Sequence, residues 1–209
     1  MSPDTSQTTH NTVLVAVFAA MIAALGLVPP ITIGIIPVPI TLQTLGVMLA
    51  GALLGPMRGM LAVIVLQALV LAGLPLLAGG RGGLGVFLGP TGGYLIGWIP
   101  AALVIGLLVK YWALQRTGRA ARFIAVLLSV VLGGVVVIYA FGVPWTSMIT
   151  GLPLSTSALG SLAFIPGDLL KAVIATLAAI NVHRSYRSLL GSMKTTRRLQ
   201  AEPRAESHP

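Results

Sequence analysis

From Val13 to His183 the chain is one aliphatic stretch after another, punctuated by glycine and proline and carrying only eight charged side chains. An ordinary soluble domain has about a quarter of its residues charged, whereas this chain has 8% charged and 56% hydrophobic residues. A helix crosses the hydrocarbon core of a bilayer with about 20 apolar residues, which leaves room here for about six crossings. In that solvent every backbone N–H and C=O must be paired inside the protein, a demand that helices meet on their own. The expected fold is all-α: a polytopic membrane protein of six transmembrane helices in one bundle.

The breaks between apolar runs give the spans. The first covers residues 13–28 and stops at Pro29 and Pro30; the second covers 41–54, the third 60–74, the fourth 93–112 and the fifth 123–141. The sixth begins at Pro166 and runs to about His183, after an uncharged polar loop over 143–165. Residues 1–12 read as a polar N-terminal tail, 13–185 as the membrane domain and 186–209 as a basic C-terminal tail, with Ser192 to Pro209 expected to be disordered. The first residues lack the basic start and small-residue cleavage site of a secretory signal, so the first apolar stretch is expected to stay in the mature protein.

A net charge of +9 raises the question of nucleic acid, but the charges sort by loop. With both termini cytoplasmic, eleven of the thirteen Lys and Arg residues lie on the inner side, leaving only Arg81 and Lys171 toward the outside. This is the bias that sets membrane orientation, so the basic residues read as topology signals and no nucleic-acid partner is expected. The chain has no cysteine, and His10, His183 and His208 lie at or beyond the ends of the apolar region. A metal site is therefore not expected, nor any cofactor bound by this chain.

Four acidic residues exist; Asp4, Glu202 and Glu206 are in the tails, leaving Asp168 as the one carboxylate inside the apolar region. An intramembrane carboxylate marks a functional site by default. Pro166 suits the first turn of a helix and Asp168 its positive end, and a spacing of three puts Lys171 on the same face. The pair reads as a polar clamp for a solute arriving from outside, or as a structural ion pair at the top of the helix. Arg81 stands in Gly79, Gly80, Arg81, Gly82, Gly83, where glycine permits sharp turns and close approach and the guanidinium offers a fork matched to a carboxylate. The plainer alternative is a flexible loop with one solvated arginine. No Gly-Lys-Ser/Thr phosphate loop occurs, so ATP would have to be bound by another chain. Thr41, Gln43 and Gln67 are neutral polar groups that must find partners within apolar spans. Ala16, Ala20 and Ala24 recur every fourth residue in the first span, a flat stripe suited to close helix contact with a partner or within the bundle.

Three blocks carry a resemblance to a known family: Pro37 to Leu45; Gly73, Leu74, Pro75 through Ala78 to Gly83 and on to Gly89, Pro90, Thr91, Gly92, Gly93, Tyr94; and Ile165, Pro166, Gly167, Asp168 with Lys171. Over about residues 13 to 185 the chain resembles the BioY family, the biotin-specific substrate-binding (S) components of energy-coupling-factor (ECF) transporters. The resemblance implies an S-component-like bundle in a bacterial or archaeal cytoplasmic membrane that binds biotin near the extracellular face. The implied ligand-binding residues are Asp168, Lys171 and Arg81, with Gln43 and Tyr94 from the matching blocks and Gln67 by analogy with a polar residue on the family's third helix. It also implies a transmembrane coupling (T) component docking on Ala16, Ala20 and Ala24, with two ATPase subunits supplying the energy; a homo-oligomer is a further possibility.

The chemistry of biotin fits such a site. Its ureido ring has two N–H donors and a carbonyl acceptor, complementary to Asp168 and Lys171, and its carboxylate would find Arg81; the opposite pose, with Lys171 on the carboxylate, stays open. The competing readings are a proton- or ion-coupled carrier with Asp168 as the protonatable group, an S component for another vitamin, and an intramembrane enzyme. The last finds no histidine or second carboxylate within a span to assist a nucleophile, and product formation by the purified protein would revive it.

Overall fold

A computed structural model of the chain describes residues 5–32 and 37–201, with side chains over 8–32 and 37–185. Among them regular structure is helical: α1 (Thr5–Leu25), α2 (Gln43–Leu54), α3 (Pro56–Leu71), a short α4 (Leu84–Leu88), α5 (Gly92–Tyr111), α6 (Arg119–Val131), α7 (Ile138–Thr150), α8 (Leu154–Ser161) and α9 (Ile165–Ala201). A π-helical turn, Leu132–Val137, joins α6 to α7 into one 32-residue apolar span. With α1, α5 and the α8–α9 unit this makes four segments long enough to cross a membrane, and α2 and α3 are shorter apolar helices. These are the six expected passes. At 12 residues α2 is only about 18 Å long, because the chain before it is extended and pinned by the bridge between Ile31 and Ile40.

α5 is the centre of the bundle and packs on α2, α3 and α7. Its span is 61% buried against 11% for α1, the most peripheral pass. Small residues allow the close contacts: a Cβ on Gly106 would lie 2.4 Å from the Pro56 nitrogen, so the turn between α2 and α3 sits directly on α5. On α9 the fully buried Ala172, Ala175 and Ala179 let it approach α2 and α6. The faces pointing away are aliphatic; Ile124, Leu128, Leu132 and Val136, four residues apart, are each about half exposed, the surface an acyl-chain solvent favours.

Several boundaries differ from expectation. α1 starts at Thr5, within the polar N-terminal stretch, and ends at Leu25 before the prolines. The region read as a polar loop over 143–165 is mostly helix: α7 runs on through Pro144 to Thr150 and α8 follows. Several of its hydroxyls bond to backbone carbonyls, with Thr150 Oγ1 donating to Thr146 O at 2.7 Å, Thr146 Oγ1 to Pro90 O at 2.9 Å and Ser161 Oγ to Ser157 O at 2.8 Å. In lipid, such pairing makes Ser and Thr compatible with a buried helix. α9 runs to Ala201, past the expected end and into the stretch read as disordered, since its last residues include strong helix formers and the next proline is Pro203. Residues 202–209 lie outside the described residues.

Candidate functional site

The extended segment 37–41, the glycine-rich connection between α3 and α5, and the adjoining ends of α2, α5, α7 and α9 enclose a cavity of about 510 Å³, mouth included. Asp168, Lys171, Arg81 and Tyr94 all line it, together with Thr41, Thr44, Thr91, Trp98, Tyr139 and Phe164.

α9 begins at Ile165, and its first turn carries Asp168. Lys171 Nζ lies 2.9 Å from Asp168 Oδ1, with both side chains less than a tenth exposed. The ammonium also donates to Thr41 O at 2.7 Å and Thr44 Oγ1 at 3.0 Å, and an ammonium has three donors. Lys171 is thus fully engaged by protein acceptors, so its role is to hold the carboxylate and tie α9 to the start of α2. Asp168 is only half engaged. Tyr139 donates to its Oδ2 at 2.7 Å; a carboxylate offers about four lone-pair sites, so about two remain for N–H donors of a guest.

An aromatic wall stands beside this pair. Tyr94, Tyr139 and Phe164 meet edge to face, with centroid separations of 6.0, 6.3 and 6.5 Å, the geometry preferred by aromatic quadrupoles. Tyr94 is buried and its hydroxyl lies 2.8 Å from Ser161 Oγ. As Ser161 Oγ donates to Ser157 O, Tyr94 is the donor of that pair. Its ring therefore contributes shape while its hydroxyl braces α5 against α8.

Arg81 closes a tight loop in which Leu77 and Arg81 exchange backbone hydrogen bonds at 3.0 and 3.1 Å. Gly79 and Gly80 turn this loop at φ +79 and +69, a conformation that costs other residues energy. The glycines thus serve the turn, and the turn aims the arginine. Arg81 Nε donates to Ala78 O at 3.1 Å, which leaves the terminal guanidinium nitrogens toward the cavity side, and partial burial lowers its pKa through desolvation.

Two expected ligand contacts are corrected. Gln43 does not line the cavity: its Nε2 donates to Ile22 O at 3.1 Å and Leu76 O at 3.0 Å, and its Oε1 accepts from Ala78 N at 3.0 Å. It is a buried clasp joining α1 and α2 to the arginine loop. Gln67 is likewise off the cavity and donates to Leu95 O. Both obey the rule that polar groups within a membrane must be paired, and backbone carbonyls supply the partners. Tyr139, Trp98, Thr44 and Phe164 were not anticipated. Trp98 is 4% exposed and its indole Nε1 has no hydrogen-bond partner, so an unsatisfied donor belongs to the cavity wall. Ala16, Ala20 and Ala24 are exposed on the outer face of α1.

The profile of the BioY family matches residues 1–188. The chain belongs to the BioY family. Among its BioY relatives, the biotin transporter of Rhodobacter capsulatus is 51% identical over 190 residues, covering 87% of this chain and 97% of that protein. The biotin transporter BioY of Rhizobium etli is 49% identical over 178 residues, covering 85% and 95%. A crystal structure of the S-component for biotin from an ECF-type ABC transporter superposes with a TM-score of 0.80 at 38% identity, covering 88% of this chain and 95% of that one. The BioY fold thus accounts for the whole helical bundle, and the cavity described above lies within the matched region.

Proposed function

We propose that this protein takes up biotin, binding it in the cavity between the arginine loop and the start of α9 without performing covalent chemistry. The observation that carries the reading is the half-engaged Asp168 carboxylate, fixed by Lys171 and Tyr139 in the same cavity as Arg81. Two free acceptor sites match the two ureido N–H groups of biotin, the aromatic wall suits its fused rings, and the Arg81 fork suits its carboxylate. Because Lys171 is already saturated, the pose with Lys171 on the carboxylate is disfavoured. The same saturation argues against an ion-coupled carrier, in which Asp168 would have to cycle through protonation beside a fixed cation.

With Arg58, Lys110, Arg116, Arg119, Arg122 and Arg184 at the opposite end of the bundle from the cavity, the cavity opens outward and both termini face the cytoplasm. The exposed alanine stripe of α1, on the least buried pass, supports docking of a T component there, with two ATPase subunits supplying the energy. Equilibrium binding of biotin to the purified protein tests the site. Asp168→Asn and Arg81→Ala each weaken it; unchanged affinity in both removes the assignment. Uptake measured with and without the coupling subunits tests the partnership.

A further inference from the structure

The opposite end of the bundle carries a second opening, of about 1130 Å³ including its mouth, between the start of α6 and the cytoplasmic part of α9. Its rim holds Arg119, Arg122 and Arg184, and its floor is apolar, with Phe123, Leu177 and Ile180. Among the described residues these charges have no counter-ion. Asp168 is the only acidic side chain among the described residues, and it sits 16 residues before Arg184 on the same helix, about 24 Å away along the axis. Arg122 is already oriented: one terminal nitrogen, Nη2, donates to Arg116 O at 3.1 Å, while its Nε is shielded from solvent and has no partner. A buried, unpaired donor on a charged group is costly unless something accepts from it.

The depth of the opening is marked by aromatic residues. Lys110 lies 4.8 Å from the Tyr111 ring centre and Arg116 5.2 Å from that of Trp112, and Tyr and Trp gather at the headgroup level of a bilayer. Immediately after them Leu114 enters the wall of the opening. A fitting occupant thus needs an anionic, hydrogen-bond-accepting head at the rim and an apolar body on the floor. We propose that the opening between α6 and α9 is a binding site for an anionic phospholipid of the inner leaflet, its phosphate held by Arg119, Arg122 and Arg184. Basic pockets between helices on the cytoplasmic side are suited to such headgroups. The site is independent of the biotin cavity, and its test needs no biotin.

The full-length protein in mild detergent is titrated with phosphatidylglycerol or phosphatidylcholine of identical acyl chains, and retained lipid is read by native mass spectrometry. Phosphatidylglycerol is expected to bind at least about tenfold more tightly. Arg119→Gln/Arg122→Gln/Arg184→Gln abolishes the preference, the triple lysine variant keeps part of it, and Arg58→Gln, outside the opening, leaves it intact. Arg122→Gln alone gives a partial loss and serves if the triple glutamine variant does not fold. Equal affinity for the two lipids overturns the proposal, as does a triple glutamine variant with wild-type preference. Displacement of phosphatidylglycerol by millimolar inorganic phosphate also overturns it, since the site would then recognise the free anion without the acyl chains.

Discussion

Replacing Lys171 by methionine separates the two functions of the buried pair. The ammonium makes three contacts, with Asp168 Oδ1, Thr41 O and Thr44 Oγ1, and methionine fills similar space with none of them. Asp168 is then left 5% exposed with the Tyr139 hydroxyl as its remaining partner. Removing one member of a buried ion pair costs about 3 to 5 kcal/mol, mostly because the other charge stays behind without compensation. The expected loss for Lys171→Met is in that range. Adding Asp168→Asn to the same protein removes the stranded charge while keeping the shape and one acceptor oxygen, so the double variant is expected to recover more than half of the lost stability. Biotin binding is expected not to recover, because the carboxylate proposed to receive the ureido N–H groups is gone. Equilibrium unfolding in mixed micelles and calorimetric binding measure the two quantities on the same four proteins of a double-mutant cycle. A single variant destabilised by less than about 1 kcal/mol, or a double variant no more stable than the single, would refute the view that Lys171 acts by compensating and positioning Asp168.

Arg81→Lys keeps the charge but loses the fork; biotin affinity is expected to fall by at least about tenfold, matching hydrogen bonds to charged groups of about 1.5 to 3 kcal/mol, while an uncharged biotin amide binds both proteins alike in calorimetry. Trp98→Phe removes the unpartnered indole N–H, so the empty protein is expected to unfold at an equal or higher denaturant concentration. Its biotin affinity is nevertheless expected to weaken by about 1 kcal/mol if the N–H donates to the ligand. Gln43→Leu strands Ala78 N, Ile22 O and Leu76 O and is expected to cost about 3 kcal/mol, with a secondary loss of biotin affinity as the arginine loop loosens, both read by the same two assays.

Charge scarcity made the anchors of the site readable from the chain. Asp168 and Lys171 stand out because ionisable groups in lipid are expensive and persist only with a purpose, and Arg81 because it violates the inside-positive bias. The six passes follow from hydropathy for the same reason: a bilayer imposes one pattern on every span. Tyr139, Trp98 and Phe164 carry no such signal, since an aromatic residue in an apolar run looks the same whether it faces a ligand, a neighbour or lipid. Gln43 and Gln67 misled in the opposite direction. Their polarity required partners, but linear sequence does not distinguish a ligand from the carbonyls of Ile22, Leu76 or Leu95, which come from other segments. The long fifth pass was hidden by its serines and threonines, which resemble a loop until their hydroxyls are seen to close on backbone oxygens.

The π-helical turn at Leu132–Val137 holds one residue more than a regular helix would need, on the segment that delivers Ile138 and Tyr139 to the cavity wall. One residue of helix corresponds to a rotation of about 100°. A regular helix of the same length would therefore carry the residues after the turn about 100° out of phase, taking the tyrosine off the carboxylate. The extra residue thus keeps Tyr139 in phase with Asp168, and the wider turn is where this pass can lose one residue and return to α winding with its two ends still in register.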